Sequence, residues 1–353
     1  MTGPRAWVVG TGLIGGSIGF ALRGRGWHVS GSDVDAARSG EALAAGAIDA
    51  VGEDVAADMV FVCVPAGKVV QVTRECLSRA PGAVVTDAAG VKANIVASVT
   101  DRRFVGGHPM AGSEKEGVAG ADSTLFSGRT WVLTPTEETD PEVFASLHGV
   151  ITSLGARPIA MSPERHDALV ALVSHVPHLL AATLMDLAGE EAAESAEVLA
   201  LAAGGFRDMT RIVSGNPGYW PDVCAENSAA IVKEMEELSR RIVDVAAVVA
   251  RGDREGLLTL LNRARSARSL LPTAYVAAER VAEVRVPVKD RPGALAEVTT
   301  LAASMSVNIE DVEIAHSPGG GGGMLVMVVD AGDAGRLTEE LGLLGYEAEV
   351  RGL

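Results

Sequence analysis

The sequence of 353 residues has little cysteine, few aromatic residues and no concentration of basic residues. Its three cysteines, Cys63, Cys76 and Cys224, are too scattered for a disulfide framework or a zinc site, so we expect small side chains in or near a core. The 30 Lys and Arg are outnumbered by 46 Asp and Glu, and no run is rich in Lys or Arg. These absences predict no metal site and argue against nucleic acid as a partner.

Long apolar runs are lacking as well. No stretch approaches the roughly 18 uninterrupted apolar residues that span a bilayer. Residues 1–5 lead straight into apolar residues 6–9 without the successive regions of a signal peptide. We therefore expect a cytoplasmic protein with no membrane partner. Because the net charge is −16, an anionic ligand needs sites made positive locally by helix N-termini or arginines.

Residues 1–161 alternate short β-branched runs with helix-like stretches, the pattern of βαβ units around a parallel sheet. Strands are predicted over residues 7–9, 28–30, 59–64, 84–86, 103–105, 130–133 and 156–160. The predicted first domain is therefore an α/β domain of the Rossmann type.

Residues 162–280 carry a helical pattern and form a predicted all-α domain. It opens with Ser162 as an N-cap and Pro163 at the first helical position. A long helix is predicted to begin near Pro221, and apolar residues recur along it at three- or four-residue steps: Ile231, Met235, Leu238, Ile242, Val245 and Val249. This stripe fits an intrachain core or a subunit interface. We favour the interface, and hence a homodimer, because helical domains that follow dinucleotide folds often dimerise.

Residues 281–353 follow the order β-α-β-β-α-β of a ferredoxin-like α+β domain. Strands are predicted over 307–314 and 324–329, with a helix over 334–344. Residues 317–323 include five consecutive glycines. They are interpreted as a flexible hairpin loop, because a phosphate cradle would be followed by a helix and here a strand follows.

A glycine-rich turn predicts a nucleotide site. Gly10, Gly12 and Gly15 have G-x-G-x-x-G spacing directly after a strand and at the opening of a helix. The next strand ends at Asp33, where a carboxylate accepts hydrogen bonds from a ribose diol and repels a 2′-phosphate, so NAD is favoured over NADP. The predicted cofactor-binding residues are Gly10, Thr11, Gly12, Leu13, Ile14, Gly15 and Asp33, with Val64 and Pro65 at the end of a later strand and with Gly90.

A dinucleotide cofactor implies hydride transfer, and oxidation of an alcohol requires a group that takes the hydroxyl proton. A neutral histidine suits that task near pH 7. The stretch "VGGHPMAGSEKEGV", residues 105–118, places His108 in a loop with no helical or strand period. His166, His175 and His178 lie on a predicted helix that Pro177 is expected to kink. On their own, these three are most simply buried core histidines, and a third zinc ligand is not visible.

Three stretches together carry a family resemblance: "GGHPMAGSEKEGV", "SHVPHLL" and "GGFRDMTRIVSGNPGYWPDV". They resemble the prephenate (or arogenate) dehydrogenase family over nearly all of residues 5–280. The resemblance implies a nucleotide-binding domain, a helical dimerisation domain, and oxidative decarboxylation of prephenate to 4-hydroxyphenylpyruvate in tyrosine biosynthesis. The C-terminal unit is similar to an ACT domain, an amino-acid-binding regulatory module that some members of the family carry.

The resemblance also implies residue roles. His108 matches the histidine that hydrogen-bonds the ring hydroxyl and assists hydride transfer, and His178 matches a second active-site histidine. Arg211 matches the arginine that binds a substrate carboxylate. The remaining expected pocket residues are Ser113, Glu114, His166, Ser174, His175 and Trp220. One departure is Gly90 in "DAAGVK", where the family commonly has a serine whose hydroxyl would bridge histidine and cofactor; Ser113 or a water is expected to substitute.

Several alternatives stay open at this point. Arogenate is the closest alternative substrate, and nothing in the sequence separates it from prephenate. Another dehydrogenase with Rossmann and ACT domains, such as the homoserine or 3-phosphoglycerate enzymes, lacks the helical middle and "SHVPH". A non-catalytic amino-acid sensor is conceivable because of Gly90. For regulation, tyrosine is expected to bind at an ACT dimer interface, with a ligand-free structural domain as the alternative; the expected effector residues are Arg291, Gly293, Ala294 and Asn308.

Overall fold

The structure, a computed structural model, describes residues 3–113, 115–195, 197–270, 281–289, 291–316 and 322–352. The chain divides into two compact units, Met1–Asp244 and Val245–Leu353. The first unit contains an eight-stranded sheet and a set of helices, and the second contains a four-stranded sheet.

The eight-stranded sheet has the order β3-β2-β1-β4-β5-β6-β7-β8. Its strands are β1 (Arg5–Val9), β2 (His28–Ser32), β3 (Ala50–Val51), β4 (Met59–Val62), β5 (Val84–Asp87), β6 (Phe104–Pro109), β7 (Thr130–Thr134) and β8 (Arg157–Ala160). The described strands pair in parallel except β6 and β7, which are antiparallel. This pair departs from the expected parallel sheet, because the described residues between the two strands, 110–113 and 115–129, contain no crossover helix.

His108 lies within β6 and not in an irregular loop, so the loop interpretation of residues 105–109 was wrong. It pairs with Val132 of β7. The sequence shows no strand period here because Gly106 and Gly107, which precede His108, have no side chains that could alternate between the two faces of the strand. A Cβ at Gly106 would lie 2.5 Å from Thr134 Oγ1, and one at Gly107 would lie 2.6 Å from the Asp87 carbonyl oxygen. Only glycine fits these two strand positions.

Helices cover both faces of this sheet. They are α1 (Leu13–Arg23), α2 (Ala36–Ala45), α3 (Ala66–Arg79), α4 (Ala93–Ser98) and α5 (Pro141–Ser153). Alternate strand residues belong to different buried clusters: Ala6 and Val8 contribute to one and Trp7 to the other. Since successive side chains of a strand point to opposite faces, the sheet has an apolar core on each side.

The helical part of the first unit begins with α6 (Pro163–Val170), a π-helical turn (Ala171–His175) and α7 (Val176–Glu194). The π-helical turn lies just before Pro177, where the missing backbone N–H had predicted a kink. Then follow α8 (Glu197–Ala200), α9 (Gly204–Thr210), short 3-10 turns (Arg211–Ser214 and Pro217–Tyr219), α10 (Trp220–Glu226) and α11 (Ser228–Ala250). The last residues of α11, from Val245 on, belong to the second unit. The helix predicted from Pro221 is thus two helices that meet at Asn227.

The helical part leaves much apolar surface exposed in the single chain. By length and composition alone, the stretch Pro163–Ala193 is apolar enough to cross a membrane. This finding does not by itself support the expectation of no membrane partner. The same stretch contains the buried polar side chains of His166, Asp167 and His175, and His166 contacts His108 of β6. Of the apolar stripe on α11, Ile231 is buried, whereas Met235 and Ile242 are 41% and 51% exposed. Leu238 is partly buried and packs against the cluster that contains Ile231, so only the exposed members of the stripe lie outside the intrachain core.

The second unit contains α12 (Arg254–Arg268) and an antiparallel sheet of order β10-β11-β9-β12. Its strands are β9 (Val281–Lys289), β10 (Ile309–His316), β11 (Gly322–Asp330) and β12 (Glu349–Gly352), with helices α13 (Ala294–Ser304) and α14 (Ala331–Leu343). This confirms the ferredoxin-like order. Most of the glycine-rich loop lies outside the described residues; Gly322 and Gly323 belong to β11.

Candidate active site

The glycine turn between β1 and α1 has the geometry of a phosphate site. Gly10 has φ +92°, and a Cβ there would lie 2.3 Å from the Cys63 carbonyl oxygen; a Cβ at Gly15 would lie 1.9 Å from the Gly10 carbonyl oxygen. At Gly12 a Cβ would meet nothing within 4 Å. No side chain caps α1 at Gly12, so its first N–H groups point into open space and suit an anion.

Two cavities meet at this turn and share Gly12, Cys63, Val64 and Pro65. The larger, of about 770 Å³, is lined by charged side chains that include Asp33, Arg38, Lys68 and Arg79. The smaller, of about 450 Å³, is lined by Leu13, Ile14, Gly15, Ala88, Ala89, His108, Ser113 and Tyr219. Because both cavities border the same residues at the turn, an elongated ligand with a central anionic group suits the pair.

Asp33 stabilises the glycine turn through hydrogen bonds. Its Oδ2 accepts hydrogen bonds from the backbone N–H of Thr11 (2.9 Å) and from Thr11 Oγ1 (3.4 Å), and its Oδ1 accepts one from the Asp35 N–H (3.0 Å). Each carboxylate oxygen can accept two hydrogen bonds. Asp33 Oδ1 therefore keeps capacity for a ribose hydroxyl in the larger cavity, while Thr11 itself is buried beneath the turn.

A buried chain of three ionisable side chains ends in the smaller cavity. His108 Nδ1 lies 2.8 Å from His166 Nε2, and His166 Nδ1 lies 2.7 Å from Asp167 Oδ1. Asp167 also accepts hydrogen bonds from the backbone N–H groups of Lys92 and Ala93, at 2.8 Å each, at the start of α4. His166 is 0% exposed and Asp167 3%. Sequence reasoning had named His166 but missed Asp167.

With Asp167 ionised and His166 neutral, this chain selects one tautomer of His108. An ionised Asp167 only accepts, so the proton of neutral His166 lies on Nδ1 and its Nε2 is an acceptor. His108 must then donate from Nδ1. Its Nε2 is left with a free lone pair, as a proton acceptor requires.

The surroundings keep His108 neutral. Burial lowers the pKa of His108 well below its usual value, and His166, Lys92 and His175 lower it further. Lys92 is fully buried and forms an ion pair with Asp87, and burial lowers the pKa of this lysine as well. The ion pair holds β6 in place, because Asp87 Oδ1 accepts a hydrogen bond from the Gly107 N–H (3.1 Å).

A second histidine group lies on the π-helical turn and α7. The His178 ring stacks on Trp220 with centroids 3.7 Å apart and planes 14° from parallel. His175 is buried, its Nδ1 lies 3.2 Å from Asn227 Nδ2, and burial lowers its pKa to about 4. Asn227 Nδ2 also donates to the Asp167 carbonyl oxygen (2.9 Å). The two histidine groups are thus linked through Asn227, with Ser174 half-buried beside them on the same turn.

Of the other expected pocket residues, Ser113 lies at a cavity and Arg211 does not. Ser113 lines the smaller cavity with His108, and its Oγ accepts a hydrogen bond from the Lys115 N–H (3.1 Å). Arg211 is exposed at the start of its 3-10 turn and is not among the residues that line either cavity. Glu114 lies outside the described residues.

In the second unit, three of the four expected effector residues come together at the start of α13. Gly293 has φ +89° and caps the helix, and the Ala294 N–H donates to the Arg291 carbonyl oxygen (3.2 Å). The Arg291 side chain is paired with Glu297, which also accepts from Tyr346 Oη (2.7 Å). The fourth, Asn308, donates from its side chain to Glu310 (2.7 Å).

A phosphate-binding turn, a long cleft across it and a neutral histidine at one end of the cleft define a dinucleotide-dependent dehydrogenase. Comparison with known families agrees with that class. The model described as "Prephenate dehydrogenase, nucleotide-binding domain" matches residues 18–160, the model of its dimerization domain matches 162–263, and the ACT domain model matches 282–344. The chain belongs to the prephenate dehydrogenase family and carries a C-terminal ACT domain.

Individual relatives support the assignment. A prephenate dehydrogenase of Bacillus subtilis (strain 168) is 31% identical over 323 residues, 87% of this chain and 87% of the relative. A solved structure of Aquifex aeolicus prephenate dehydrogenase in complex with hydroxyphenyl propionate and NAD⁺ is 29% identical, with a TM-score of 0.72, and the match covers 77% of this chain and 99% of that one. A solved structure of Synechocystis arogenate dehydrogenase is 31% identical, with a TM-score of 0.66, and the match covers 75% of this chain and 99% of that one.

Proposed function

We propose that the protein catalyses the NAD-dependent oxidative decarboxylation of prephenate to 4-hydroxyphenylpyruvate, with His108 as the proton acceptor. The observation that carries the proposal is the hydrogen-bonded chain from Asp167 through His166 to His108. It presents an unprotonated Nε2 in the cavity next to the glycine turn. The family membership supplies the substrate class.

The residues at the turn fit NAD. Gly12 leaves room for the pyrophosphate beside the uncapped start of α1, and Asp33 accepts from the adenosine ribose. When bound, NAD accepts a hydride from the ring carbon that carries the substrate hydroxyl. The proposed cofactor residues are those of the turn, Asp33, Val64, Pro65 and Gly90.

His108 both takes and returns a proton. Its Nε2 removes the hydroxyl proton as the hydride leaves, and the hydrogen bond to His166 places the new positive charge near Asp167. Loss of CO₂ from the opposite ring carbon then moves an electron pair through the ring to the new carbonyl oxygen, which takes the proton back from His108. The ring becomes aromatic, and no net proton is exchanged with solvent.

Prephenate has two carboxylates, and we assign Arg211 to one of them. We also assign to the substrate side of the site His178, Ser174, His175, Trp220 and Glu114. Arg211→Ala should raise KM for prephenate about 30-fold or more if the ion pair is desolvated. Steady-state kinetics measures this, and an unchanged KM would remove Arg211 from substrate binding.

We propose a cytoplasmic homodimer with domains over 1–161, 162–280 and 281–353. The exposed apolar residues of α11 support the dimer, because a second copy would cover them. The ACT domain is proposed to bind tyrosine near Arg291, Gly293, Ala294 and Asn308. Calorimetric titration of the full chain with tyrosine, and with phenylalanine for comparison, tests this assignment, and heat from neither would reject it.

The direct test of the activity uses purified protein with prephenate and NAD. NADH and 4-hydroxyphenylpyruvate should appear in equal amounts, and His108→Asn should lower kcat about 10²-fold or more with the fold intact. Arogenate is the second candidate substrate, favoured by the Synechocystis structure. Comparing kcat/KM for prephenate and arogenate with NAD and with NADP decides both choices. Absence of NADH with either substrate would defeat the proposal.

A further inference from the structure

A hydroxyl from a distant part of the chain fills the space beside Gly90. A Cβ atom at Gly90 would lie 2.7 Å from Tyr219 Oη and 3.7 Å from His108 Nε2. The first distance is closer than Cβ contacts allow, so any side chain at residue 90 must displace the Tyr219 hydroxyl. The space beside Gly90 is therefore bordered both by the Tyr219 hydroxyl and by the proton-accepting nitrogen of His108.

The local structure holds Tyr219 in this place. The residue ends the 3-10 turn Pro217–Tyr219, which Asn216 caps by accepting a hydrogen bond from the Gly218 N–H (2.8 Å). Asn216 also donates to Glu116 Oε1 (2.7 Å), and the next residue, Trp220, stacks on a histidine of α7. Although 46% of Tyr219 is exposed, it lines the cavity that contains His108 and Gly12.

The Tyr219 hydroxyl has a proton to donate. A phenol hydroxyl carries one O–H donor, so the Tyr219 proton can be directed to an acceptor in the cavity. Burial, with a smaller effect of Asp87, raises the pKa of Tyr219, and the group stays protonated at neutral pH. When CO₂ leaves, negative charge develops on the ring oxygen, and a donor beside that oxygen stabilises the charge.

We propose that the Tyr219 hydroxyl donates a hydrogen bond to the reacting oxygen of the substrate, next to His108 Nε2. The hydroxyl missing at Gly90 is thereby supplied from residue 219, in place of the expected Ser113 or water. The inference rests on the proposed function, because it requires a substrate oxygen at His108. It also explains why residue 90 is glycine, since the two positions compete for one space.

Tyr219→Phe removes the hydroxyl and keeps the ring. We expect kcat for prephenate to fall about 10- to 100-fold, with little change in KM. Calorimetric affinity for 4-hydroxyphenylpyruvate, whose phenol oxygen is the reacting oxygen, should weaken about fivefold. Tyr346→Phe is the matched control, because it removes a tyrosine hydroxyl in the second unit; it should leave basal kcat and this affinity unchanged.

A second pair of variants separates this role from a structural one. Gly90→Ser alone should lower activity, because its side chain collides with Tyr219 Oη. Gly90→Ser combined with Tyr219→Phe places a hydroxyl in the vacated space and should recover about tenfold in kcat over Tyr219→Phe alone. A purely structural role predicts lower thermal stability for Tyr219→Phe and no recovery in the double variant.

Two results would overturn the inference: a Tyr219→Phe enzyme whose kcat and product affinity stay within about twofold of wild type, or a double variant no more active than Tyr219→Phe. If the wild-type protein does not oxidise prephenate, the proposed function fails. The binding comparison with 4-hydroxyphenylpyruvate then still decides whether the Tyr219 hydroxyl meets a phenol oxygen.

Discussion

The two units each contain a network of carboxylate, cation and ring groups, and the networks differ in burial. In the first unit, Asp87, Lys92 and His166 are all 0% exposed. In the second, the side chains of Arg291 and Glu297 are 52% and 41% exposed. Water screens the second network, whereas each member of the first depends on its partners for compensation of its lost hydration. Similar groups therefore set the protonation state of a reactive atom in one unit and contribute little in the other.

The largest effect is expected from Asp167→Asn, which removes the carboxylate that ends the buried hydrogen-bonded chain. Asp167→Asn keeps the shape but no longer requires a proton on His166 Nδ1, so the opposite tautomers of His166 and His108 become available and His108 Nε2 carries a proton. The comparable aspartate-to-asparagine change in a serine protease triad costs about 10⁴-fold, and we expect about 10³-fold in kcat here, roughly 4 kcal/mol. Steady-state kinetics with NAD and prephenate measures it. A variant with near-normal kcat would separate Asp167 from the chemistry.

The next effect is on stability. Lys92→Met leaves Asp87 charged and unpaired in the core, which should lower the free energy of unfolding by about 3 kcal/mol. Lys92→Met combined with Asp87→Asn removes both charges and should recover much of that loss. Urea unfolding of both variants tests the pair. If the double variant were no more stable than Lys92→Met, the buried ion pair would not be the cause.

The buried network also sets a pH dependence. His108 must be neutral to accept a proton, and activity is lost as the pH falls through its pKa. Because burial lowers that pKa well below 6.5, the acid limb of kcat/KM should lie well below pH 6.5, with about a tenfold loss for each further pH unit. A pH profile of kcat/KM checks this. A limb centred at or above 6.5 would mean that His108 is hydrated and not held as described.

The smallest effect is expected in the exposed network. Glu297→Gln removes the partner of Arg291 and Tyr346, yet Tm should stay within about 2 °C of wild type because the groups are hydrated. Differential scanning calorimetry makes the measurement, and basal kcat should not change. A loss of stability as large as that of Lys92→Met would mean that the exposed network contributes as much stability as the buried one.

Local patterns carried most of what could be predicted from the sequence. Residues close together in the chain predict the glycine turn, the β-α-β-β-α-β succession of the second unit and the helical middle. The site depends on contacts between distant residues. Asp167 acts through His166 on His108, which precedes His166 by 58 residues, and no local signal marks that pairing. Tyr219 was missed for the same reason. His108 was misplaced in a loop because two glycines conceal the period of β6.

His108 presents an unprotonated Nε2 because Asp167 and His166 select its tautomer. Nitrogen-15 NMR of the histidine-labelled protein at neutral pH tests this most directly, with His108→Asn used to assign the resonances. We expect a neutral His108 with its proton on Nδ1 and no proton on Nε2. A neutral ring protonated on Nε2, or an imidazolium, would contradict it.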